Sequence, residues 1–167
     1  MMRRRRFAAL FVLVASIAGM ARGDDATTYA PPKRIELAIE SVSPAGKIVV
    51  EGHNVSQKPL RLWRGSNSWG AACWHVLLVG HGRVDTWYQS PYQSFTRNFP
   101  AYDELAPQAR TKRTLDLGDG TWLPLNSERF RGGAGDVVIV VYDVPSTDEA
   151  EKLGVWFGVA AAFTTLR

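Results

Sequence analysis

Cys73 and His75 stand two residues apart in an apolar run. In an extended strand that spacing turns both side chains to one face, about 6–7 Å apart between Cα atoms. A thiolate beside an imidazole is the chemistry of a cysteine nucleophile with its base, or of two ligands in a blue-copper centre. The copper reading needs a second histidine and usually an axial methionine, and the only methionines are Met1, Met2 and Met20. The nucleophile reading needs a helix N-terminus or a cation to lower the thiol pKa, which the middle of a strand does not supply. The pair therefore reads as a small buried thiol and a strand histidine, with a thiol-dependent hydrolase as the enzymatic alternative. His53 and His81, in expected turns, would join His75 in a metal site only if three separate segments converged. Asp116-Leu117-Gly118-Asp119-Gly120 has closely spaced carboxylates but lacks the alternating ligands and distal glutamate of a calcium loop, so it reads as a hairpin turn. No Gly-x-Ser-x-Gly elbow surrounds Ser66, Ser68 or Ser90. The expectation is a chain without catalytic residues, metal or cofactor.

A second chemistry is aromatic. Trp63, Trp69, Trp74, Trp87, Tyr88, Tyr92, Phe95, Phe99 and Tyr102 crowd one stretch of forty residues, and several fall in segments that read as loops. Loop tryptophans and tyrosines present flat apolar faces with a polar handle, suited to stacking on sugar rings or anchoring a protein partner. The candidate ligand-binding residues are Trp63, Arg64, Asn67, Trp69, Trp87, Tyr92, Arg97, Asn98 and Trp122, the polar members supplying directional hydrogen bonds beside the rings. The competing reading folds these rings back to cap the ends of a core.

The elements that must position them are short strands. Ile35, Leu37 and Ile39 alternate with Glu36, Ala38 and Glu40, and Lys47 to Asn54 returns after the Pro44-Ala45-Gly46 turn. Leu60 to Trp63, Cys73 to Val79, Val84 to Tyr88, Thr111 to Leu117, Thr121 to Leu123, Val137 to Tyr142 and Val155 to Phe163 follow, with Gly80-His81-Gly82 as a hairpin turn. Val137 to Tyr142 is the strongest β signal and reads as a central strand. Arg64 to Gly70 reads as a loop and Gln89 to Gln108 as a long irregular section, since Pro91, Pro100 and Pro107 oppose a helix. Asp148 to Lys152 suits one helical turn. About eight short strands without βαβ alternation predict an all-β, antiparallel, immunoglobulin-like sandwich spanning residues 34–167, with a small β-barrel as the second choice.

The N-terminus reads as an export signal. Arg3 to Arg6, the apolar run Phe7 to Ala21 and the small residues Ala21 and Gly23 predict a signal peptide over 1–23, cut before Asp24 and followed by an extended leader over 24–33. That segment holds five of the twenty basic residues and none of the sixteen acidic ones, so the rest of the chain is close to neutral. The electrostatic argument for nucleic acid or an anionic membrane leaves with it. A single cysteine permits no intrachain disulfide and, lying far from the cleavage site, no lipoprotein anchor. The expected location is the periplasm or the medium, with no membrane association after cleavage.

The segments Trp63 to Gly70, Thr96 to Pro100, Leu117 to Trp122, Val141 to Pro145 and Val155 to Gly158 resemble a group of uncharacterised secreted bacterial β-sandwich proteins. Asn54-Val55-Ser56 before an apolar strand, with a later Leu-x-Pro turn, more loosely resembles intracellular-proteinase-inhibitor-like sandwich domains. These resemblances imply a fold and export, and no activity. The functional expectation is an exported, non-enzymatic module whose loops contact a protein or an envelope glycan. Its carbohydrate-binding alternative requires two or three of Trp69, Trp87, Tyr92 and Trp122 to form an exposed, roughly coplanar strip.

Overall fold

Ile35–Val42 (β1), Lys47–Asn54 (β2) and Arg110–Asp116 (β7) form one antiparallel sheet in the order β1-β2-β7. Period-two patterning drives it: Ile48, Val50, Gly52 and Asn54 of β2 are buried on one face while Val49, Glu51 and His53 are half-exposed on the other. The second sheet has the order β10-β9-β4-β5-β8, from Gly158–Thr165 (β10), Val137–Val144 (β9), Trp74–Gly80 (β4), Arg83–Gln89 (β5) and Trp122–Pro124 (β8), all antiparallel. This computed structural model describes residues 34–90, 95, 98–126 and 129–167; the expected signal segment 1–23 and leader 24–33 lie outside them. Among the described residues no helix is long and apolar enough to cross a membrane.

The two sheets face each other as an antiparallel sandwich, and no sheet closes into a barrel. The edge strand β8 of the larger sheet follows β7 of the smaller one, so the chain crosses between the sheets at that point. Ile48, Val50 and Leu115 from one sheet meet Val76, Leu78, Trp87, Val138 and Val140 from the other. Each such side chain contributes roughly 1.5–3 kcal/mol on burial, and this packing does the work that a disulfide does in many small exported domains. Trp74 opens β4 inside the core, its ring 4.5 Å from that of Tyr142 on β9.

Several elements differ from their expected form. Arg64 to Gly70 is not wholly loop, because Asn67 caps a helical turn, Ser68–Ala71 (α1), its side chain accepting the Gly70 N–H. The irregular section contains a strand, Tyr102–Leu105 (β6), paired with Leu60–Trp63 (β3). The last strand begins at Gly158 rather than Val155, since Gly154 takes a left-handed conformation (φ +63°) and ends Asp148–Leu153 (α2). The expected hairpin at Gly80-His81-Gly82 is present, with His81 and Gly82 both at positive φ as a type I′ turn requires. A Cβ at Gly80 would collide with Oδ1 of the buried Asp136, so glycine is the residue that lets this carboxylate pass under the hairpin.

Asn54 ends β2 as a buried junction. Its Nδ2 donates towards the carbonyls of Lys58, Leu105 and Ala106 at 2.9–3.0 Å, and its Oδ1 accepts from Ser56 N–H and Oγ–H. One side chain thus ties the β2–β3 turn to the end of β6.

Candidate functional site

The aromatic candidates divide by burial. Trp63, Trp87 and Trp122 are core residues, Trp87 only 1% exposed, so none offers a ring face to a surface ligand. Trp69 is half-buried against Trp63, ring centroids 6.2 Å apart. Tyr92 and Arg97 lie outside the described residues. Two of the four rings from which the coplanar strip would be drawn, Trp87 and Trp122, are therefore inside the sandwich. The exposed large hydrophobics, among them Phe99 at 71%, are elsewhere.

The polar candidates of the same segment brace it. Arg64 pairs with Asp103 across the β3–β6 ribbon at 2.8 Å, and Arg61 lies 3.6 Å from Glu104. Asn67 is buried, capping α1 with its oxygen and donating to the carbonyls of Phe99 and Ala101. Asn98 Oδ1 accepts the Ser68 N–H. A Cβ at Gly70 would run into the Arg64 carbonyl, which accounts for that glycine by close backbone approach.

The Cys73 thiol is buried and engaged elsewhere than with His75. Cys73 Sγ donates to the Trp69 carbonyl at 2.9 Å, and burial, reinforced by nearby Asp143, pushes the thiol up from 9.0 to about 12. His75 is pulled below its usual range by burial, partly offset by Asp143. A protonated thiol inside a sandwich should react slowly with thiol reagents in the native state and fast after denaturation, as a time course with and without urea will read. The raised thiol pKa also sets a sign. Its contribution to stability is complete below pH 9.0 and falls away as pH rises towards 12, because the unfolded chain ionises first. Cys73→Ala should flatten alkaline unfolding in that window. Asp116 and Asp119 close local turns through Gly118 N–H and Thr121 N–H, and among the described residues no three His, Cys, Asp or Glu side chains converge on a metal site.

A different constellation was not among the expected sites. Arg113 sits on β7 between Thr111 and Leu115, on the face where Leu115 enters the core, opposite Val50. Its guanidinium carbon lies 5.2 Å from the centroid of the Trp74 ring, a cation–π placement. Gly65 gives it room, since a Cβ there would overlap Nη1. Its one polar contact is long, Nη2 to Gln89 Oε1 at 3.5 Å. The ion pairs among the described residues engage Lys47, Arg61, Arg64, Arg83, Arg110 and Lys112, and Arg113 takes part in none. Burial pulls its pKa down from the usual arginine value, yet a guanidinium stays charged. Trp74 is 8% exposed, and its Nε1 is a buried donor without a partner among the described residues. Burial likewise pushes the Tyr142 phenol up.

Arg113, Trp74 and Tyr142 line one cavity of about 330 Å³ at the end of the sandwich closed by the β3–β6 ribbon. Its apolar wall is Ile35, Leu37, Val50 and Leu62. Gly52 makes the space, because it occupies an inward position of β2 where Ile48 and Val50 carry side chains. The sequence signal was an arginine in the inward register of an alternating strand and a glycine in the inward register of its neighbour. Comparison of the chain with protein-family models, with curated proteins and with solved structures finds no match.

Proposed function

We propose that the chain is an exported, non-enzymatic β-sandwich binding module whose ligand enters the cavity bounded by β2, β3, β6 and β7. The observation that carries this reading is the cavity beside Gly52, where Arg113 and the Trp74 ring meet an apolar wall of Ile35, Leu37, Val50 and Leu62. Binding sites for small molecules are concave, mostly apolar and furnished with a few convergent polar groups, which describes this cavity at the small end of the usual size range. The hydrolase alternative lacks a thiolate, and the carbohydrate alternative lacks surface rings at Trp87 and Trp122. Export follows from the Arg3–Arg6 and Phe7–Ala21 pattern.

A Cβ added at Gly52 meets Ile35, Leu37 and Thr111 at 3.5–3.6 Å, ordinary contact distances. Gly52→Val should therefore fill the space without a clash and leave the melting temperature equal or higher. The wild-type protein should take up a neutral apolar dye such as Nile red with enhanced emission, and Gly52→Val should not. Equal dye uptake by both proteins removes the cavity as the site.

A further inference from the structure

We infer that this cavity takes a small organic monoanion, a single carboxylate on a compact apolar body, with the carboxylate held by Arg113. The inference rests on the cavity being the binding site and adds the chemistry of what it selects. Arg113 presents the planar fork of donors that matches a carboxylate in two parallel hydrogen bonds, and its only polar contact among the described residues is the long one to Gln89. A guanidinium taken from water without a carboxylate partner is costly, and the Trp74 ring face offsets only part of that cost. An acceptor arriving with the ligand satisfies those donors.

The charge of the ligand follows from what else lines the site. Asp103 and Glu104 at the rim are matched by Arg64 and Arg61, and Lys112 pairs with Glu40 at 2.5 Å. Arg113 is then the one cavity-lining charge outside these pairs among the described residues, so one negative charge is compensated and a second is not. That favours a carboxylate over a dianionic phosphate. Ile35, Leu37, Val50 and Leu62 seat an apolar body, while Asp103, Glu104, Thr111 and Lys112 line the same cavity.

The test compares acids with neutral isosteres of the same shape: hexanoate against hexanamide, and phenylacetate against phenylacetamide, titrated into the purified protein and followed by tryptophan fluorescence and by melting temperature. The acids should bind roughly 10–100-fold tighter than their amides, as charge-assisted hydrogen bonds predict. Arg113→Met should erase that preference. Amides that bind as well as acids overturn the inference, and so does acid binding that survives Arg113→Met. Nile red uptake that Gly52→Val abolishes, together with equal acid and amide binding, leaves the cavity standing and removes only the anion. Absence of both acid and dye binding removes the two together. The comparison of acid with amide uses the wild-type protein, so it holds whether or not a variant folds.

Discussion

Truncating Trp87 to alanine should cost the fold about 3–5 kcal/mol, the range for emptying a buried aromatic site. The residue is 1% exposed, lies on β5 between β4 and β8, and packs its ring 5.8 Å from that of Phe130. A loss of that size is a fifth or more of the stability of a typical domain and should appear as a large drop in the urea midpoint with little change in slope. Residue type and spacing alone offered Trp87 as a ligand-facing ring, and a surface ring removed to alanine changes stability by no more than about 0.5 kcal/mol. A small shift in the midpoint therefore contradicts the core placement. The measurement decides between the two roles without knowledge of any ligand.

Asn54→Ala is the second large effect. It removes the side-chain donor to the carbonyls of Lys58, Leu105 and Ala106, of which Lys58 keeps Ser56 Oγ–H and Ala106 keeps the Ala109 N–H, and it takes one acceptor from Ser56. Each buried group left unpaired costs about 1–3 kcal/mol, so a total near 3 kcal/mol is expected. Asn54→Asp separates the donor from the shape. At neutral pH the variant sets a carboxylate against three carbonyl oxygens and should be less stable than the alanine variant. Below the ordinary aspartate pKa of about 3.9, where the unfolded chain also carries the proton, one donor returns and the deficit should narrow. Urea midpoints for both variants at neutral and acid pH read the sign, and equal deficits at the two pH values count against the donor role.

The strands that alternate cleanly are legible in the order of their residues. Ile35-Leu37-Ile39 and Ile48-Val50 each declare an inner face, and Val137 to Tyr142 declares a strand inside a sheet. Tyr102–Leu105 is not legible in that way. It is four residues long, its central pair is acidic, and it holds to β3 through Arg61–Glu104 and Arg64–Asp103, contacts that exist only once two distant segments meet. The same limit applies to the site. The segment Trp63 to Gly70 draws the eye by its residue types, yet its rings and amides serve the fold: Trp63 is buried, Asn67 caps a helix, and Gly65 makes room for Arg113. Arg113 looks like one basic residue among several in Arg110-Thr111-Lys112-Arg113. Only its place in the register, inward with Leu115 where Lys112 points out, separates it from its neighbours, and only the opposing sheet supplies Trp74.

Asn54 also governs how the protein can be made. Asn54-Val55-Ser56 is an acceptor sequence for N-linked glycans in a eukaryotic secretory pathway, where the sugar is attached to the side-chain nitrogen while the chain is still unfolded. In the folded chain that nitrogen is directed at three carbonyls and the residue has no exposed surface. A glycan there removes one of two donor hydrogens and fills the corner where the β2–β3 turn meets β6, so a modified chain cannot close. Secretion from yeast or mammalian cells should divide the product into an unmodified folded fraction and a glycosylated fraction held back from export, whereas a bacterial host makes a single species. Removing the acceptor by Ser56→Ala avoids the sugar but also deletes the Ser56 Oγ–H bond to Asn54, so the remedy weakens the same corner.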